Sequence, residues 1–310
     1  LFLTKASILS QIGNNRGAIN TLEHVLTICQ DDEKDEICIN IAFECQNLEK
    51  PQEAIHYLKK ALAYNPENEE AIYEIAYCYD LIGENAEAIE TFVSVIDETP
   101  YSHHAWYCLG NVYLATGAVE DALRAYDYSV VIQDDFASGY FNKAMCLMQL
   151  EHYEQAIECF RQSLDFELID SVCLYYIGEC YLRMDNDRQA EIHFRKAIAK
   201  DERLLDAWVG MATVLYKQNK TIEALHYIKK AIKLDEHSGE NWYLQGEYQL
   251  DAGLEEEACS SFEKALENGY NKPSIWLNYS EILVALEQFE KAEELLDKAL
   301  ATCPKDSEIH

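Results

Sequence analysis

Basic residues are scarce in this sequence. Lysine and arginine number 25 against 56 aspartates and glutamates, giving a formal net charge of −31 and a pI near 4.5. So acidic a chain repels phosphate backbones and anionic lipid, which argues against a general nucleic-acid or membrane-surface binder. Long apolar runs are also missing. None reaches the length of a transmembrane helix, and the Leu-Phe-Leu start lacks the charged flank and cleavage site of a signal peptide. Yet 49% of the residues are hydrophobic, too many for an acidic disordered tail. A soluble, folded, acidic protein is expected, placed in the cytoplasm.

Motifs that carry chemistry are absent too. There is no GxGxxG, no Walker A loop, no His-Glu-x-x-His and no Gly-x-Ser-x-Gly. The 11 cysteines include no Cys-x-x-Cys, and an odd number cannot pair fully within one chain. Most stand where neighbouring stretches carry Ala, Leu or Val, so they are read as small buried side chains in a reducing compartment. Cys173 and Cys180 would need two further ligands to hold zinc, and no local spacing supplies them. The acidic run Asp31 to Glu36 lacks the spaced ligands and central glycine of a calcium loop and reads as a solvated connection. His103 and His104 adjoin at the start of a first helix, where a cap or a groove contact is expected rather than a metal site. No catalytic residue, metal site or cofactor is expected.

What the chain has is a period. Blocks of 34 residues run without insertion as 35–68, 69–102, 103–136, 137–170, 171–204, 205–238, 239–272 and 273–306, with an incomplete block at 1–32 before them. Three columns fix the register. Slot 8 of the block is always small: Ala6, Ala42, Ala76, Gly110, Ala144, Gly178, Ala212, Gly246 and Ser280. Slot 20 is alanine throughout: Ala18, Ala54, Ala88, Ala122, Ala156, Ala190, Ala224, Ala258 and Ala292. Slot 24 is large and apolar: Leu22, Leu58, Phe92, Tyr126, Phe160, Phe194, Ile228, Phe262 and Leu296.

Each block reads as two helices. Apolar slots 4, 7, 8 and 11 follow helical spacing in the first, as do slots 20, 24 and 27 in the second. Slot 15 carries the turn signal, with Gly13, Gly83, Gly117 and Gly253, and with Asp185 and Asn219 in other blocks. Pro66, Pro100 and Pro304 stand at slot 32, where the second helix should stop, while Pro51 and Pro273 fall at tolerated positions. All four tryptophans, Trp106, Trp208, Trp242 and Trp276, occupy slot 4.

Trp106, Leu109, Gly110, Tyr113, Ala122 and Tyr126 show most of the pattern in one block, which resembles the tetratricopeptide repeat (TPR). The resemblance covers essentially the whole chain. It implies an all-α fold, a right-handed superhelical solenoid of about nine helix-turn-helix units, forming a single array over 1–310. It implies that first helices line a concave groove and that the protein is an adaptor rather than a catalyst. A clipped first unit and the lack of a solvating helix around Ser307 to His310 lead us to expect a piece of a longer protein whose uncapped ends favour self-association.

The resemblance also places slots 2, 5, 6, 9, 12 and 13 of the first helix on the groove. From block 35–68 onward these carry the aromatics Phe43, Tyr73, Tyr77, Tyr107, Phe141, Tyr175, Tyr176, Tyr216 and Tyr243. They carry the acids Glu36, Glu70, Glu74, Asp80, Glu179, Asp206, Glu240, Glu247, Asp251 and Glu281, against two cations, Arg183 and Lys217. With Asn111 and Asn142 these residues give a candidate trough for a protein or peptide segment that is basic and apolar. The carboxylate clamp of chaperone-binding TPR domains is not expected. Asn111 and Asn142 match its asparagines, but Tyr107, Val172 and Tyr176 stand where it needs cations, so an Hsp70 or Hsp90 tail is excluded as partner. The expected function is a non-catalytic scaffold for protein–protein interaction. The alternative is the regulatory or substrate-docking region of a larger enzyme or sensor protein.

Overall fold

Helix ends in this chain are set at one recurring position. The computed structural model describes residues 1–166 and 170–302. First helices α1 (Phe2–Gln11), α3 (Lys34–Asn47), α5 (Glu69–Ile82), α7 (His103–Ala115), α9 (Ala137–Gln149), α11 (Asp170–Arg183), α13 (Leu205–Lys217), α15 (Gly239–Asp251) and α17 (Pro273–Ala285) alternate with second helices. The latter are α2 (Asn15–Ile28), α4 (Pro51–Tyr64), α6 (Asn85–Glu98), α8 (Val119–Ile132), α10 (Tyr153–Asp165), α12 (Asp187–Lys200), α14 (Thr221–Leu234), α16 (Glu255–Glu267) and α18 (Phe289–Thr302). Among the described residues there is no strand.

The turn between the two helices of each pair is closed by a residue with positive φ at slot 15, from 55° to 78° in all nine pairs. Four are the glycines named by sequence, and Asp185 and Asn219 also behave as expected. Glu49, Glu151 and Glu287 adopt the same conformation at φ 57°, 61° and 59°, although their side chains give no sign of it. The reason is a hydrogen bond from slot 16 back to slot 11: Asn14 N–H reaches the Leu9 carbonyl at 2.8 Å, Lys50 the Cys45 carbonyl at 3.0 Å and Leu254 the Gln249 carbonyl at 2.8 Å. That bond needs a left-handed residue before it, whatever the side chain.

The described helices fall into two compact units, Leu1–Phe166 and Glu167–His310. Within the first unit α1 to α9 each pack on the helix that follows, and within the second α11 to α17 do the same. Alternation of a first and a second helix buries the same columns in both. All nine slot-20 alanines are buried, as are Leu22, Leu58, Phe92, Tyr126, Phe160, Phe194, Ile228 and Phe262 of slot 24. Slot 8 is small because slot 24 leans on it. A Cβ at Gly110 would lie 2.6 Å from the Tyr126 ring, at Gly178 2.7 Å from Phe194 and at Gly246 2.5 Å from Phe262. Phe194 is held from both sides, since a Cβ on Gly210 would also come within 2.7 Å of it.

Slot 4 turns out to be a latch as well as a filler. The indole N–H of Trp106 donates to the Pro100 carbonyl at 3.0 Å, Trp208 to Glu202 at 2.9 Å, Trp242 to Glu236 at 2.9 Å and Trp276 to Asn271 at 3.3 Å. Each bond ties a first helix to the connection leading into it, and so fixes one repeat on its predecessor.

Two expectations need correction or completion. The run Asp31 to Glu36 is not one solvated loop. Asp31–Glu33 form a 3-10 turn, α3 starts at Lys34, and Asp35 is buried, accepting from the side-chain amides of Asn65 and Asn68, both at 2.9 Å. Burial alone would raise the Asp35 carboxyl, but those two amides together with the backbone N–H groups of Asp35 and Glu36 hold the group below its ordinary value. Eight cysteines are buried and Cys29 and Cys259 are half-buried. Burial pushes the thiols of Cys38, Cys45 and Cys146 up to about 11 and those of Cys108 and Cys180 up to about 12. They pack as small apolar side chains, not as nucleophiles. Cys303, Pro304 and the last four residues lie outside the described residues. Among those described, no helix is long and apolar enough to cross a membrane.

Candidate partner-binding faces

In the first unit the predicted stripe rises from α5, α7 and α9. Tyr73 and Tyr77 are exposed, at 38% and 54%. Tyr107, Asn111, Phe141 and Asn142 are half-buried. Tyr73 meets His104 edge-on at 5.1 Å between ring centroids and Tyr107 at 6.5 Å. Phe136, in the connection before α9, closes the pile at 5.1 Å from Tyr107 and 5.0 Å from His103. The two histidine rings lie 3.8 Å apart. Burial lowers the affinity of both for a proton. His104 is lowered further by His103, while the Glu69 carboxylate at 3.5 Å opposes the shift.

Helix capping at α7 comes from Ser102, whose hydroxyl accepts from the Ala105 N–H at 3.3 Å, so the histidines serve as aromatic packing and not as caps. The two asparagines serve each other. Asn142 donates to Asn111 Oδ1 at 3.0 Å and to the Tyr107 hydroxyl at 3.1 Å, and Tyr126 donates to the same Asn111 oxygen at 2.7 Å. This network joins α7, α8 and α9 and consumes most of the polar capacity that a ligand would need. Phe141 stands edge-on to Phe160 at 5.5 Å, packed on its own second helix. Beside this network an open cavity of about 330 Å³ lies between α5 and α7, lined by Tyr77, Asp80, Asn85, Cys108 and Asn111 among others.

In the second unit the stripe is organised around carboxylates. Tyr175 and Tyr176 on α11 lie 5.0 Å apart, and Tyr175 also meets Phe194 at 5.9 Å. Burial raises the neighbouring Glu179 carboxyl above the ordinary range. Arg183 pulls it down and Asp206 adds to the rise. Tyr216 stacks on Tyr248 at 4.3 Å. Tyr243 is only 7% exposed, stacked on Tyr270 at 4.6 Å, and donates its hydroxyl proton to Glu247 at 2.6 Å.

Several acids of the stripe already have partners. Glu74 accepts from Gln46 at 2.8 Å and Asp251 from Thr221 at 2.7 Å. Glu36, Glu70, Asp80, Asp206, Glu240 and Glu281 are exposed. Lys217 is engaged by Asp185 at 2.8 Å and Asp187 at 3.5 Å. Sequence reasoning missed Phe136 and Tyr270. The available signal was an aromatic in the connection between repeats, where Pro66 and Pro100 stand at other junctions. Among the described residues no three metal-ligating side chains gather.

Family comparisons agree with this geometry. Models described as tetratricopeptide repeat match residues 2–66, 48–100, 82–139, 137–167, 172–201, 209–273 and 273–310. The chain belongs to the tetratricopeptide repeat family. This TPR chain is 23% identical over 217 residues to anaphase-promoting complex subunit 3 of Schizosaccharomyces pombe, which covers 69% of the chain and 27% of that protein. It is 23% identical over 182 residues to the BBSome complex member BBS4 of Bos taurus, covering 59% of the chain and 35% of that protein. The TPR chain thus spans about a third or less of these two relatives. Among solved structures it resembles the APC/C hetero-tetramer Cut9-Hcn1, with a TM-score of 0.58 at 12% identity over 99% of this chain and 74% of that one. It equally resembles a TPR protein from Parabacteroides merdae, with a TM-score of 0.58 at 20% identity over 81% and 99%. At such identities these likenesses show the fold alone.

Proposed function

We propose that this TPR chain is a non-catalytic scaffold that holds a partner segment against its first helices, and that it works in the cytoplasm. The observation that carries the reading is the open cavity beside Tyr77, Asp80 and Asn111, which sets an exposed aromatic and an exposed carboxylate at one mouth. An extended segment with an apolar side chain next to a lysine or arginine suits that pairing. The relatives named as members of multi-subunit complexes support a scaffold, and the absence of a catalytic motif in the sequence is consistent with it. Treating the nine repeats as one array is part of the proposal and rests on the unbroken 34-residue period.

The test is a pair of fluorescent peptides of equal length, one alternating Lys with Leu and one alternating Glu with Leu, titrated at low salt. The basic peptide is expected to bind the intact chain, and Tyr77→Ala with Asp80→Asn to weaken it about tenfold, on the order of 1.4 kcal/mol. Equal binding of the two peptides, or an unchanged affinity in the double variant, removes this reading.

A further inference from the structure

Second helices of successive repeats leave notches between them, and three open ones occur at equivalent places in the repeat. One lies between α4 and α6, at about 470 Å³, and one between α16 and α18, also about 470 Å³. The largest lies between α14 and α16, at about 710 Å³. Slot 28 contributes an aliphatic side chain to each: Leu62, Leu266 and Ile232. The charges around them differ. Lys59 faces Glu87, Glu90 and Glu98 in the first, and Lys291 and Lys298 face Glu263, Glu267 and Glu294 in the second. The α14–α16 notch gathers Lys229, Lys230, Lys233 and Lys264 with His226, against Glu236. Of these three notches only the one between α14 and α16 carries a cationic ring, so the repeat position alone does not impose it.

In a chain of net charge −31, four lysines gathered against the single carboxylate of Glu236 are an unusual concentration. Among the described residues none of the four ammonium groups belongs to an ion pair. Lys229 and Lys233 stand one helical turn apart, where like charges repel. The wall between them is apolar and fixed. Ile232 is 5% exposed, the Trp242 indole N–H is tied to the Glu236 carbonyl, and Lys264 Nζ sits 4.1 Å above the Trp242 ring. Lysines on long stems meet carboxylates spread along a segment, whereas a compact phosphate is better gripped by the planar fork of arginine. The volume suits a few residues, not a single ion.

We propose that the α14–α16 notch docks an acidic segment of a partner protein, its carboxylates on Lys229, Lys230, Lys233 and Lys264 and an apolar side chain against Ile232 and Trp242. The lysines of this site stand on second helices, with Trp242 reaching it from α15, and the site does not rest on the first-helix aromatic and acidic stripe described above.

The test titrates the intact chain with a fluorescein-labelled peptide alternating Glu and Asp around one central Leu. Binding at low salt is expected, although the overall charge of the chain repels the peptide. Lys229→Glu with Lys233→Glu should weaken it at least tenfold, Lys229→Gln with Lys233→Gln by less, and Lys59→Glu in the α4–α6 notch should change nothing. Replacing the central Leu by Ser should weaken binding severalfold. Circular dichroism confirms that each variant remains helical, and the glutamine pair serves should the reversal unfold the chain. No binding, affinity indifferent to Lys229 and Lys233, or affinity indifferent to the central Leu overturns the proposal. Inorganic phosphate or phosphatidylserine vesicles that bind with the same lysine dependence would also overturn it, by assigning the notch to a phosphate group.

Discussion

The first unit piles its stripe aromatics on a histidine pair, and the second pairs them with carboxylates. Tyr73, His103, His104, Tyr107 and Phe136 form one contiguous cluster, with Asn111 and Asn142 bonded beneath it. In the second unit Tyr175 and Tyr176 sit by Glu179, and Tyr243 gives its proton to Glu247. Both are built on the same columns of small and large residues. The scaffold therefore fixes where a side chain stands and leaves its chemistry free, which is how one repeat presents two different surfaces.

The largest effect that would sharpen the comparison lies in the cores beneath the stripes. Phe194 fills a slot made by two glycines, whereas Leu58 of the first unit is buried in a core whose slot 8 holds Ala42. Phe194→Ala should cost about 3–5 kcal/mol in urea unfolding, and Leu58→Ala about 2–5 kcal/mol, because neither site collapses freely. Losses below 1 kcal/mol in both would deny that slot 24 carries the packing.

Next come the turns, where both units contain the same strain. Glu49→Gly and Glu151→Gly in the first unit and Glu287→Gly in the second should each stabilise by roughly 0.5–1 kcal/mol. A left-handed L-residue costs about 1–2 kcal/mol, and the extra entropy of unfolded glycine takes part of that back. Destabilisation by all three would show that the side chains are held by contacts worth more than the strain.

The finest test uses protons and should split the units. Folded His103 and His104 bind a proton less readily than the ordinary 6.5, so their contribution is intact above that pH and is lost as pH falls through and below it. Glu179 is raised from its ordinary 4.5, so its contribution is intact below that value and is lost as pH climbs through the folded value. His104→Gln should flatten the decline in melting temperature between pH 7 and 5.5. Glu179→Gln should raise the melting temperature at pH 7, with the gain closing towards pH 4.5. Curves displaced in parallel from wild type would contradict both assignments.

The fold was legible because its cause is repeated. An alanine at every slot 20 and a small residue at every slot 8 are the trace of two helices in close approach. The strained glutamates were not legible, because the hydrogen bond that imposes their conformation is made by the next residue. Asp35 looked like solvent-facing charge until folding brought Asn65 and Asn68 to it from beyond the next helix. Of the candidate site, Tyr73 and Tyr77, placed by sequence on the outward stripe of a first helix, are exposed. The bonding of Asn111 to Asn142 and the burial of Tyr243 depend on helices 31 to 35 residues apart, a separation no local pattern records. The lysine notch escaped because its charges lie on second helices, away from the stripe that drew the eye.

Since every indole in the molecule clamps the joint behind its own hairpin, ultraviolet emission becomes a local gauge. Three of the four emitters, Trp208, Trp242 and Trp276, belong to the second unit and one, Trp106, to the first. A denaturation curve followed at their wavelength therefore weighs the later joints three to one, while ellipticity counts the eighteen helices of the described residues alike. Where the two traces separate, the gap shows which half lets go first.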